Sequence, residues 1–164
     1  MMKFRKGTSK DMESVYMMGY DVWGENMASD EYITMCNDSV KYKRGTWYVL
    51  EDLDTKELVS SLIVYELPSS EDRTSRGIGS IATPLTLRKR GYASILIEQV
   101  IQDLERTEKC TDFFLYSDIG TAFYHKLNFI ELPPAKQKYK DNICMYYSKD
   151  NVRDHSPIEI PDYF

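Results

Sequence analysis

The chain has 164 residues, 42% apolar and 29% charged, the proportions of one globular domain with one core. Its formal charge of −5 argues against a nucleic-acid binder, which needs a basic face to displace counterions. No run approaches the ~20 apolar residues of a membrane helix, and the start Met1-Met2-Lys3-Phe4-Arg5-Lys6 leads into no apolar stretch, so neither a membrane partner nor a signal peptide is expected.

In chain order, Lys3 to Gly7 reads as a first strand. Ser9 reads as the cap of a helix with Asp11 and Glu13 in its first turn and Met12, Val15, Tyr16, Gly19 and Trp23 at helical spacing. Gly24-Glu25-Asn26 breaks that pattern, and a second short helix is expected over Ser29 to Met35, capped by Ser29. Thr46 to Leu50 and Leu58 to Tyr65 read as strands around the turn Asp52 to Thr55; the second is apolar on both faces, hence central. Pro68 to Arg76 is a polar loop, and Gly77 to Thr83 a further strand ended by Pro84.

Ala93, Leu96, Ile97, Val100, Ile101 and Leu104 form one apolar face, the clearest helical signal in the chain. Phe113 to Tyr116 is expected as a strand and Ile119 to Leu127 as a helix, with Asn128 suited to a left-handed C-terminal cap. Ile143 to Tyr147 closes the series as a last strand. The expected architecture is α/β, a mixed twisted sheet of about six to seven strands flanked by about four helices. Residues 1–150 are expected to form one domain and 151–164 a tail that packs on the surface or leads elsewhere.

Cys36, Cys110 and Cys144 are far apart, odd in number and without a C-x-x-C. Buried reduced thiols and a cytoplasmic location are expected. No metal site is expected, because neither His125 nor His155 has a cysteine nearby.

The segment that carries chemistry is Gly77 to Ala93, a strand running into a loop that opens the amphipathic helix. A helix start offers unpaired N–H groups and a positive dipole end, which together bind a phosphate. Gly91 lets the backbone approach an anion, and Ala93 keeps the helix near its neighbour. Arg88, Lys89 and Arg90 are basic where the dipole disfavours cations, which tilts the reading from a solvated loop toward an anionic ligand.

Arg88-x-x-Gly91-x-Ala93 matches the Gln/Arg-x-x-Gly-x-Gly/Ala signature of the GNAT superfamily of N-acetyltransferases. Further on, Ser117 to Phe129 is similar to that superfamily's Asn-x-x-Ala-x-x-Leu/Phe-Tyr-x-x-x-Gly-Phe block, with Phe123, Tyr124 and Phe129 on its Leu/Phe, Tyr and Phe. Ser117 stands for the usual Asn, Gly120 for Ala and Asn128 for Gly. The Pro84-to-Arg88 spacing and the Tyr92-Ala93-Ser94 ending look most like the fungal lysine N-acetyltransferase branch.

The resemblance implies acetyl-CoA as acetyl donor and direct attack by an amine on the thioester. Main-chain groups of Ile81, Ala82 and Thr83 would hold the acetyl and pantetheine arm, and those of Lys89, Arg90, Gly91, Tyr92, Ala93 and Ser94 the pyrophosphate. Ser117 would bond the arm, and Arg88 would assist or simply pair with a carboxylate. Tyr124 would protonate the leaving thiolate. A lysine with pKa ~10.4 costs about 4.6 kcal/mol to deprotonate at pH 7, so a carboxylate base is expected. Glu66 and Asp118 are the candidates.

The acceptor, a small-molecule amine or a lysine-containing substrate, would bind near Trp23, Glu25, Asp30, Glu31 and Tyr32, where acidic and aromatic groups suit a cation. A homodimer is compatible with this reading. The competing reading is an inactive acetyl-CoA sensor or partner-docking module; Tyr124 favours the enzyme. A nucleotide-binding reading lacks any G-x-x-x-x-G-K-[ST].

Overall fold

The computed structural model describes residues 1–150 and 158–164. Among the described residues the strands are β1 (Met2–Lys6), β2 (Thr46–Asp52), β3 (Leu58–Glu66), β4 (Ser75–Ala82), β5 (Asp112–Ser117), β6 (Ile130–Glu131) and β7 (Ile143–Ser148). The helices are α1 (Met12–Met17), α2 (Tyr20–Trp23), α3 (Ser29–Asp38), α4 (Val40–Lys43), α5 (Tyr92–Thr107) and α6 (Ala122–His125). The strands form one mixed sheet in the order β1-β2-β3-β4-β5-β7-β6. Among the described residues no helix is long and apolar enough to cross a membrane.

Packing divides the chain into two compact units: Met1–Val64 with Ser80–Val100, and Tyr65–Gly79 with Ile101–Phe164. In the first, β1 and β2 pair antiparallel, as do β2 and β3, with a bulge at Leu50/Glu51. Val15, Tyr16, Tyr32, Cys36 and Val49 form its helix-side core. Trp47 meets the rings of Tyr16 and Tyr42 edge-on.

The helix expected from Met12 to Trp23 is two pieces. The N–H groups of Met18 and Gly19 bond back to Ser14, Val15 and Tyr16, and Gly19 at φ −100° and ψ 1° ends the first piece. Ser9 is not the cap: Thr8 precedes the first turn, and its N–H donates to Asp11 Oδ2. Ser29 is likewise the first residue of α3 rather than its cap, which is Ala28. Helix α4 follows a cap by Ser39, whose Oγ accepts from Tyr42 N–H at 3.2 Å.

In the second unit, β4 and β5 pair in parallel over Ser75–Gly77 and Asp112–Phe114. β5 pairs antiparallel with β7 along its full length, and β7 with the two-residue β6. The helix expected from Ile119 to Leu127 is only α6, because Gly120 at φ +87° holds the preceding residues in a turn. Asn128 takes the left-handed cap at φ +66°. Residues 158–164 pack here: Ile160 is buried, and the Phe164 ring lies on Gly77 and against Tyr65 and Tyr116. The rest of the expected tail, 151–157, lies outside the described residues.

Candidate functional site

The first unit carries the loop between β4 and α5. Ser80, inside β4, adopts φ +45°, a left-handed conformation that interrupts regular strand backbone. Ala82 is buried at the end of β4, and Ile81, Thr83 and Pro84 are half-buried. A single 3-10 turn, Leu85–Leu87, follows. Lys89 then adopts φ +64° and Gly91 φ +84°, so the chain turns twice through left-handed conformations before α5. A Cβ at Gly91 would meet nothing within 4 Å, so it is the backbone angle that calls for glycine there.

The first hydrogen bond of α5 runs from Ile95 N–H to Gly91 O. The N–H groups of Gly91, Tyr92, Ala93 and Ser94 are therefore the unpartnered donors of the helix start. The residue before them, Arg90, is exposed, as is Lys89, and neither makes an ion pair among the described residues. This end of α5 joins main-chain donors, dipole and two free cations, the arrangement an anion needs.

Arg88 is occupied differently. Its Nε donates to Thr83 O at 2.9 Å, and its two terminal nitrogens form a fork on the Asp21 carboxylate at 2.8 and 2.7 Å. The fork on Asp21 pushes the Arg88 pKa up and holds Asp21 below the ordinary carboxylate value. Asp21 escaped sequence reasoning because its partner lies 67 residues away and no local pattern marks the pair.

Ser60 was also missed, although two serines inside an apolar strand were a readable sign of a buried polar role. Its Oγ donates to Ala82 O at 3.0 Å and lies 3.2 Å from Thr83 Oγ1. Ser61 is equally buried, yet its Oγ meets no partner among the described residues. The two alanine variants should therefore differ. Ser60→Ala removes a donor from a buried carbonyl and should cost about 1–2 kcal/mol, whereas Ser61→Ala should be neutral or stabilising. Urea unfolding of both variants measures the difference.

The second unit carries Ser117, Asp118 and Tyr124. Ser117 is buried at the end of β5, and its hydroxyl donates to Gly120 O and accepts from Ile119 N–H. Its side chain thus closes its own turn. Asp118 is exposed, as is Glu66 at the end of β3. Tyr124 is buried, its ring edge-on to Phe123 at 5.0 Å and to Phe129 at 6.2 Å. Its hydroxyl has no protein partner among the described residues. Burial, with the Asp118 charge second, pushes the Tyr124 pKa up to about 12. A phenol in that state keeps its proton and has it free to give.

His125, beside it, is exposed and 3.3 Å from Glu131. All three cysteines are buried and free. Of the expected acceptor residues, Trp23, Glu25, Asp30 and Glu31 are exposed. Tyr32 is not: it is 3% exposed within the helix-side core, 5.3 Å from the Tyr20 ring. Tyr32 therefore does not stand on a cation-binding surface, since its face of α3 is the apolar one.

No protein-family model and no curated protein sequence matches the chain. Solved structures do. The fold is similar to that of the NatC complex bound to Gag peptide and CoA, with a TM-score of 0.63 and 16% identity over 90% of this chain and 98% of that one. A dodecameric spermidine N-acetyltransferase from Vibrio cholerae gives 0.67 and 16% over 94% and 98%. A putative GNAT-family acetyltransferase from Desulfovibrio desulfuricans gives 0.67 and 15% over 90% and 99%. At these identities the shared property is the fold, which is that of the GNAT acetyltransferases.

Proposed function

We propose that this chain is an acetyl-CoA-dependent N-acetyltransferase that moves an acetyl group to a primary amine. The observation that carries the reading is the start of α5, with its unpartnered N–H groups, the left-handed Gly91, and the free cations Lys89 and Arg90. That chemistry fits a pyrophosphate. The shared fold and the two motifs around Gly91 and Tyr124 support the same reading.

On this proposal, the main chain from Lys89 to Ser94 holds the pyrophosphate, and that of Ile81, Ala82 and Thr83 holds the acetyl-pantetheine arm. Ser117 contributes through its main chain, its hydroxyl being engaged in its own turn. Acetyl-CoA, when bound, supplies the thioester carbonyl as electrophile. The amine nitrogen attacks that carbon, the carbon–sulfur bond breaks, and Tyr124 gives its proton to the departing sulfur. The nitrogen's surplus proton passes to Glu66 or Asp118 through water, and solvent reprotonates Tyr124. No cysteine or metal takes part in this sequence.

The acceptor is a small-molecule amine or a lysine side chain, held near Trp23, Glu25, Asp30 and Glu31. The spacing after Pro84 favours the lysine-acetylating branch. Residues 1–150 act as the catalytic domain of a cytoplasmic protein, with homodimer formation compatible. The competing sensor reading predicts binding without turnover.

The test is thermal unfolding with and without acetyl-CoA, with ATP as the anionic control. Acetyl-CoA at about a hundred times its dissociation constant should add about 2.7 kcal/mol of stability, and ATP should add none. Thiol release with lysine, spermidine, an aminoglycoside and a short peptide then separates enzyme from sensor. No shift at millimolar acetyl-CoA removes the proposal.

A further inference from the structure

The cofactor loop contains two left-handed residues, Lys89 and Gly91, only two positions apart. Glycine adopts that conformation freely, but a lysine does so at a cost of about 1 kcal/mol. Such backbone persists when its surroundings over-determine it. Arg88 immediately precedes the first of the two. It reaches Thr83 O at 2.9 Å, at the start of the loop, and the Asp21 carboxylate at 2.7 and 2.8 Å, in the first turn of α2. A further terminal N–H donates to Met18 O at 3.4 Å, where α1 gives way to α2. Four of the five guanidinium donors are thus directed at protein oxygens.

We propose that Arg88 is not a phosphate ligand but a positioning residue, which with Asp21 braces the main chain from Thr83 to Gly91 in its anion-binding conformation. This rests on the acetyl-CoA reading above and assigns the phosphate charge to the neighbours Lys89 and Arg90. It also joins the break between α1 and α2 to the cofactor loop. Only an arginine fork satisfies Thr83 and both Asp21 oxygens at once; a lysine ammonium is a point charge without that geometry.

The sign of one substitution separates a brace from a ligand. Asp21→Asn removes a negative charge close to an anion site and releases Arg88. If Arg88 bound phosphate, or if only charge mattered, acetyl-CoA would bind more tightly. If Arg88 is a brace, binding weakens, because the loop must then be ordered on binding. We expect acetyl-CoA titration to give about two- to fivefold weaker binding for D21N, at least as much for R88K, and recovery in D21E. Hydrogen exchange of the amides from Lys89 to Ser94, recorded without ligand, should accelerate in D21N and R88K and be restored in D21E.

Tighter or unchanged binding in D21N, or full binding by R88K, overturns the brace. So does unchanged exchange in D21N and R88K, which is read even if the protein binds no acetyl-CoA. A wild-type chain that does not bind acetyl-CoA but does show the exchange differences would sink the cofactor reading and leave the brace standing.

Discussion

Tyr124→Phe is expected to lower turnover by about a hundredfold or more while the protein stays folded and binds acetyl-CoA. The substitution removes one oxygen and keeps the ring that packs against Phe123 and Phe129. Because that oxygen has no protein partner among the described residues, its removal orphans no buried donor or acceptor. The thermal midpoint should therefore move little. Loss of turnover can then be assigned to the missing proton rather than to the fold.

The pKa of about 12 fixes how this acid responds to pH. The phenol holds its proton throughout the neutral range, so the wild-type kcat should show no alkaline loss from this group there. The measurement is steady-state thiol release with whichever amine of the panel the wild-type turns over. Acetyl-CoA affinity is determined separately by titration. A variant that keeps more than about a third of the wild-type kcat would exclude Tyr124 as an acid of the size that general acid catalysis supplies.

What the sequence made legible was local. The apolar face from Leu96 to Leu104 is buried as its period implied, and the helix carrying it begins beside Gly91. Asn128 in its left-handed cap follows from residue type and position alone. Helices α2, α4 and α6 are single turns, shorter than a reliable helical period, so no periodicity could delimit them. Strand β6 has two residues and is similarly silent. Tyr32 looked like a surface aromatic because acidic residues flank it; the burial of one face of α3 decides otherwise.

The parts of the site that were not legible are long-range pairs. Ser60 meets Ala82 across 22 residues and Arg88 meets Asp21 across 67, and neither partner carries a mark that names the other. Sequence could single out the loop between β4 and α5, but not what holds it. The same limit applies to Ile158–Phe164: a tail that packs on the surface or leads elsewhere was the expectation, and nothing in its weak periodicity singled out Ile160 and Phe164 as the residues that pack against the sheet.

A third long-range pair sets the largest expected effect on stability. Asp112, at the start of β5, is buried to 4% exposure. Arg73, in the loop after β3, donates Nε to its Oδ2 at 2.8 Å and a terminal nitrogen to its Oδ1 at 2.5 Å. Arg73 also reaches Ser148 at 3.0 Å and Asp150 at 2.6 Å, so one guanidinium ties the β3–β4 loop to β5 and to the end of β7. Arg73→Leu strands the carboxylate. Tyr146 and Thr111 still donate to it, but its counter-charge is gone. Breaking a buried pair from one side costs about 3–5 kcal/mol. The two remaining donors, and the one-third exposure of Arg73, place this case at about 3 kcal/mol. In a domain of this size that is about 6–12 °C in thermal midpoint. The double variant with Asp112→Asn leaves no charge to strand and should recover much of the loss, although Asp112→Asn alone would forfeit the pair. Calorimetry on the two single variants and the double closes the cycle. An Arg73→Leu midpoint within 2 °C of wild type, or a double variant no better than Arg73→Leu, would mean that Tyr146 and Thr111 suffice for Asp112 and that the loop is held by its own turn.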